Sequence, residues 1–169
     1  MIRKALPEDI DSIMVIVRDA QRALAELGID QWQDGYPTRD IILSDIALQQ
    51  GYIYEDATEG IVGYSAIVLS GEEAYNQIDE REWNTSKDYV VVHRLCIRNA
   101  LRRKGIATEL MQYAITKAKE ANLSGFRIDT HKGNIRMLSL LERLGFKHTG
   151  RILYESGERE AFDLNIQLK

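Results

Sequence analysis

Cysteine is nearly absent: Cys96 stands alone, so no internal disulfide can form. With no metal-ligand spacing around it, this usage fits a reducing cytoplasm. The three histidines, His93, His131 and His148, make no zinc signature, and no metal is expected. No apolar run approaches the roughly 18 residues of a membrane span, which argues against membrane insertion. The stretch "MIRKALPEDIDSIM" has two early cations but neither an uninterrupted apolar core nor a small-residue cleavage site, so a secretory leader is not expected. Positive charge is in deficit as well. Lys and Arg number 22 against 26 Asp and Glu, a net charge of -4, which disfavours a dedicated nucleic-acid binder. Neither an internal repeat nor a low-complexity segment is present.

What is there suits one soluble globular domain over residues 1–169, with 44% hydrophobic and 28% charged residues. "IRKA" reads as a short strand. Ile10, Ile13, Met14, Val17, Leu24 and Leu27 then follow helical spacing, with Pro7 and three acids at the start and Gly28 at the end. Thr38 is placed to cap a second helix through Ile41, Ile42, Ile46 and Leu48, closed by Gly51. "YIYE" and "IVGYSAIVL" read as a hairpin across the acidic turn "DATEG". Residues 70–88 are polar with isolated aromatics, a loop long enough to suggest a functional excursion. "YVVVHRLCI" is a strand, and a long amphipathic helix from Ile106 ends near Asn122. "GFRIDT" is a strand, "NIRMLSLLERLG" a helix with its own glycine stop, and two strands meet at "ESGER". The expected order is β-α-α-β-β-β-α-β-α-β-β, a mixed α/β chain.

Between "YVVVHRLCI" and the long helix lies "RNALRRKGIATEL". Cations gathered at a helix start oppose the helix dipole unless an anion sits there. Unpaired N–H groups of a first helical turn bind anions, and glycine allows phosphate oxygens close to the backbone. The stretch therefore reads as a phosphate cradle of Arg102, Arg103, Lys104, Gly105, Ile106, Ala107 and Thr108. The alternative reading is a solvated, positively decorated loop.

Arg102-Arg103-Lys104-Gly105-Ile106-Ala107 satisfies the phosphate motif Q/R-x-x-G-x-G/A of the GNAT superfamily, the acetyl-CoA-dependent N-acetyltransferases. "LCI" lies at the expected distance upstream. A second block of that family, N-x-x-x-x-x-L-x-x-x-x-G-F, is met by Asn134, Leu140, Gly145 and Phe146. The chain thus resembles a small bacterial-type GNAT member over most of its length. The resemblance implies a centrally splayed mixed sheet flanked by helices, acetyl-CoA as cosubstrate, a small-molecule amine as acceptor and a possible homodimer. It also implies that Leu95, Cys96 and Ile97 offer backbone groups to the pantetheine amides, and that Asn134 touches the cofactor or caps its own helix.

The implied reaction is direct attack of a neutral amine on the thioester. It needs a base, an oxyanion donor and a way for the thiolate to leave. Backbone N–H groups near Cys96 suit the oxyanion, and the thiol itself reads as a small core residue rather than a nucleophile. His93 is the available base, on the pleat face of Val91 and Leu95 if no bulge intervenes, or else a hydrogen-bonded core histidine. Many relatives carry a tyrosine where this chain has Leu141, so the acid falls to Tyr154 or to no residue. Asp129 and His131 end a strand; His131 either sees the acceptor or cofactor, or shares a local turn in which Asp129 and Thr130 cap the approach to Asn134. Trp32, Tyr36, Tyr75 and Trp83 are acceptor-pocket candidates or loop anchors. An acyl-CoA-binding sensor or interaction module of the same fold, without turnover, is the rival reading.

Overall fold

The computed structural model describes residues 1–102 and 104–168. Among the described residues, eight strands and four α-helices follow in the order β1 (Ile2–Lys4), α1 (Ile10–Glu26), α2 (Arg39–Ala47), β2 (Gly51–Asp56), β3 (Gly60–Val68), β4 (Ile78–Asp79), β5 (Tyr89–Ile97), α3 (Ile106–Glu120), β6 (Gly125–Thr130), α4 (Ile135–Arg143), β7 (Lys147–Tyr154) and β8 (Gly157–Asn165). The strands form a mixed sheet in the order β1-β2-β3-β5-β6-β8-β7-β4. All eleven expected elements are present in their expected order. The addition is β4, two residues inside the long excursion that pair with β7 through Ile78↔Ile152. Among the described residues no helix is long and apolar enough to cross a membrane.

Two compact units make up the chain. The first, Met1–Ile67 with His93–Tyr113, holds the β1-β2-β3 meander and the carboxyl-terminal half of β5. Pro7 opens a 3₁₀ turn that leads into α1, and α1 buries Ile10, Ile13, Ile16 and Val17 against Ile42, Ile46, Ile53, Tyr64 and Cys96. Thr38 caps α2 by accepting from the Ile41 amide at 3.3 Å. That helix stops at Ala47, where Gln49 takes a left-handed φ of 60°, so the stop precedes Gly51, which instead begins β2. Asp56 holds the β2–β3 turn by accepting from the amides of Thr58 and Glu59.

The second unit holds Val68–Val92 and the described chain from Ala114. Here β5 pairs in parallel with β6 over only three positions, Tyr89↔Gly125 to Val91↔Arg127, a short ladder for strands of nine and six residues. This brevity is the splay of the sheet. The tail strands β7 and β8 pair antiparallel, and β8 also pairs with β6. Asn122 and Gly145, both at positive φ, follow α3 and α4.

Candidate active site

The basic stretch forms a turn and a helix start within the first unit. After β5, Asn99–Leu101 makes one 3₁₀ turn, and buried Leu101 packs with Ile106, Leu110 and Val62, which fixes the angle at which α3 begins. Gly105 has φ 81°, a left-handed conformation that L side chains resist, and a Cβ placed on it would meet nothing within 4 Å. The Glu109 amide makes the first i→i−4 bond of the helix, to Gly105 O at 3.0 Å. The amides of Ile106, Ala107 and Thr108 precede that bond in a fifteen-residue helix, at the end where the helix dipole favours negative charge. Lys104 is exposed beside them and Arg102 is half-buried, while Arg103 lies outside the described residues.

The half of β5 before this turn is not regular. Arg94 adopts φ 55°, which interrupts the alternation between His93 and Leu95, so the shared pleat face expected for Val91, His93 and Leu95 does not hold. Leu95 and Ile97 pack with Val62, Ile106 and Leu110, whereas Cys96 joins the cluster of α1 and α2. Burial pushes the Cys96 thiol up to about 12 against the opposing pull of Arg94, which leaves it protonated and inert as a nucleophile. His93 is half-buried in the strand just before this irregularity.

Arg94 itself is the residue that sequence reasoning missed here. Its Nε and Nη2 donate to Asp45 at 2.8 and 2.5 Å, Nη1 donates to the Tyr36 hydroxyl at 2.9 Å, and Tyr64 donates to Asp45 at 2.7 Å. Burial pulls the guanidinium pKa down, but the Asp45 hydrogen bonds and charge, with Tyr36, outweigh it, so Arg94 is firmly charged. The signal in the sequence is a charged residue inside an apolar pattern: Asp45 beside Ile46 and Arg94 within "VVVHRLCI". Tyr36 thus sits on Arg94, with the Trp32 ring 6.2 Å away.

In the second unit the aromatics of the excursion are fastened down. Tyr75 is 1% exposed, so it is an anchor and not an open pocket wall. Its carbonyl accepts from Trp83 Nε1 at 2.8 Å, and the two rings lie 5.2 Å apart. Arg127 stacks on Trp83 and Tyr89, 4.6 and 4.0 Å from their centroids, and donates to Thr85 and Ser86. The Tyr75 and Tyr154 hydroxyls both donate to Asp129 Oδ2, at 2.6 and 2.8 Å. Asp129 therefore does not cap the turn before α4. His131 does that work, its Nδ1 accepting from the Gly133 amide at 2.9 Å, and Asn134 caps α4 by accepting from Met137 N at 3.3 Å. Leu141 is fully buried.

Arg102, Lys104 to Thr108, His93, Leu95 to Ile97, Trp32 and Tyr36 thus belong to one unit, and Tyr75, Trp83, Tyr154, His131 and Asn134 to the other. The family model described as the acetyltransferase (GNAT) family matches residues 17–146. A GNAT-family acetyltransferase from Streptococcus agalactiae 2603 is 34% identical, with a TM-score of 0.90 over 100% of this chain and 96% of that one. A structure described as a putative acetyltransferase from Staphylococcus aureus MU50 is 25% identical, with a TM-score of 0.73 and 99% of each chain covered. The Arabidopsis thaliana protein named GCN5-related N-acetyltransferase 6, chloroplastic, is 28% identical over 78 residues, 46% of this chain and only 25% of that protein's length. With the cradle motif, the mixed splayed sheet and a family match over most of its length, the chain belongs to the acetyltransferase (GNAT) family.

Proposed function

We propose that the chain transfers the acetyl group of acetyl-CoA to a primary amine of a small acceptor by direct attack. The observation that carries this reading is the start of α3: open space over Gly105, three first-turn amides and the flanking cations Arg102 and Lys104. Those groups fit a pyrophosphate, which accepts from backbone amides at a helix start and is neutralised by adjacent cations. Arg103, outside the described residues, is proposed with them from its place in the motif alone. Leu95, Cys96 and Ile97 would pair their backbone groups with the pantetheine arm, and Asn134 would reach the cofactor while capping α4.

His93 is the proposed base, acting directly or through water. Backbone N–H groups around Cys96 stabilise the oxyanion. Because Leu141 is a buried hydrocarbon and the Tyr154 hydroxyl already donates to Asp129, we favour departure of the thiolate without a dedicated acid, stabilised by the positive end of α3 and by solvent. Trp32 and Tyr36, with His131 and Trp83, are assigned to the acceptor side, while buried Tyr75 holds Asp129 in place. Thiol release from acetyl-CoA across a panel of amines tests the reaction. Turnover with any amine supports it. Binding of acetyl-CoA with no release for any amine would favour the non-catalytic sensor, the reading that the leucine at position 141 keeps in play.

A further inference from the structure

We infer that Asp129 is the carboxylate that receives the ammonium group of the acceptor, and that the acceptors of this chain are cationic alkylamines. The inference rests on the amine-acetylation reading and deepens it.

Three separate segments converge on this one carboxylate: Tyr75 from the 3₁₀ turn Glu73–Gln77, Tyr154 from the end of β7, and Asp129 near the end of β6. Both tyrosine hydroxyls bond the same oxygen, Oδ2. Burial, and then the charge of Asp129, push the Tyr75 hydroxyl well above its ordinary range, so it remains a donor at every working pH. Two donors on one oxygen fix the carboxylate's orientation and leave Oδ1 to accept from elsewhere.

The buried carboxylates of the chain are completed differently. Asp45 has Arg94 on both oxygens, and Asp9 has Arg3 on both. Asp163 takes the amides of Asn84 and Thr85 on one oxygen and the Asn84 side chain on the other. Half-buried Asp129 has neither a cation nor a second-oxygen donor among the described residues. The nearest candidate in sequence, Arg127, lies on the same face of β6 but is committed to Trp83, Tyr89, Thr85 and Ser86. The β8 residue opposite Asp129 is Ala161, which adds no polar group. A carboxylate with a fixed orientation, an available oxygen and aromatic neighbours but no counter-charge matches an ammonium ligand, which supplies both the charge and the N–H donors.

The test compares benzylamine, protonated at neutral pH, with aniline, which is not, in the full chain and its Asp129→Asn variant. The amide keeps an oxygen for both tyrosine hydroxyls, so the variant preserves the local packing. Calorimetry in the presence of CoA should show benzylamine affinity falling about 10-fold to 100-fold in Asp129→Asn, the scale of a lost charged hydrogen bond. Its kcat/KM should fall in parallel, with that of aniline changing less than about 3-fold and the thermal shift by acetyl-CoA unaltered. Unchanged benzylamine binding in the variant, equal losses for both amines, or no benzylamine binding by the wild type would each overturn the assignment. Wild-type acetylation of aniline without benzylamine binding removes Asp129 and keeps acetyl transfer. Benzylamine binding lost in Asp129→Asn, without thiol release from either amine, does the reverse.

Discussion

Arg94 and Asp45, 49 positions apart, form a bidentate ion pair with side chains only 12% and 6% exposed. Removing one partner strands the other as a buried charge. Arg94→Met should therefore destabilise the fold by about 3–5 kcal/mol, and the double variant Arg94→Met with Asp45→Leu by clearly less than the sum of the singles. Urea denaturation of the four proteins checks this. Strict additivity would mean that the pair is not coupled.

Gly105 and Gly28 both sit at positive φ, and a β-carbon added to either would meet nothing within 4 Å, so valine at either site carries similar backbone strain, about 1–2 kcal/mol. Only Gly105→Val should lose the rise in thermal stability with acetyl-CoA, which in the wild type corresponds to about 2.7 kcal/mol at a hundredfold excess over Kd. A Gly105→Val protein that folds and shifts like the wild type would move the cradle elsewhere.

The proposed base and the leaving step separate in their kinetics. His93→Ala should lower turnover by about 10²-fold to 10⁴-fold while acetyl-CoA affinity holds. Tyr154→Phe should leave kcat nearly unchanged and raise KM for the amine a few-fold, because it removes one of two hydrogen bonds to Asp129. A large loss confined to kcat would instead make Tyr154 the acid.

Alkali should destabilise the chain through its buried acids, Cys96, Tyr64 and Tyr75. The folded values of Cys96, about 12 against an ordinary 9.0, and of Tyr64, raised by burial and Asp45, both exceed the unfolded ones. The folded state then keeps protons that the unfolded state releases. Stability from Cys96 is whole below pH 9 and is lost as pH climbs toward 12, at a limiting slope of about 1.4 kcal/mol per pH unit. Cys96→Ala should flatten the decline that begins near pH 9 in urea titrations. In the folded wild type at about pH 8 the thiol should resist alkylation.

Local chemistry was readable from the order of residues alone. The strands "YVVVHRLCI" and "GFRIDT" occupy the positions that their apolar content indicates, and Thr38 caps α2 as its place before a helical pattern suggests. The turn at Gly105 and the helix start at Ile106 belong to this class, since glycine and the helical pattern are neighbours along the chain. Tertiary structure alone decided the rest. Left-handed Arg94 interrupts a strand whose sequence reads as unbroken, and its partner Asp45 lies on a different helix. Tyr75 and Tyr154 meet Asp129 across 54 and 25 residues. Hydrophobic periodicity encodes which face of an element is buried, but not which polar groups on distant elements will meet once those faces pack.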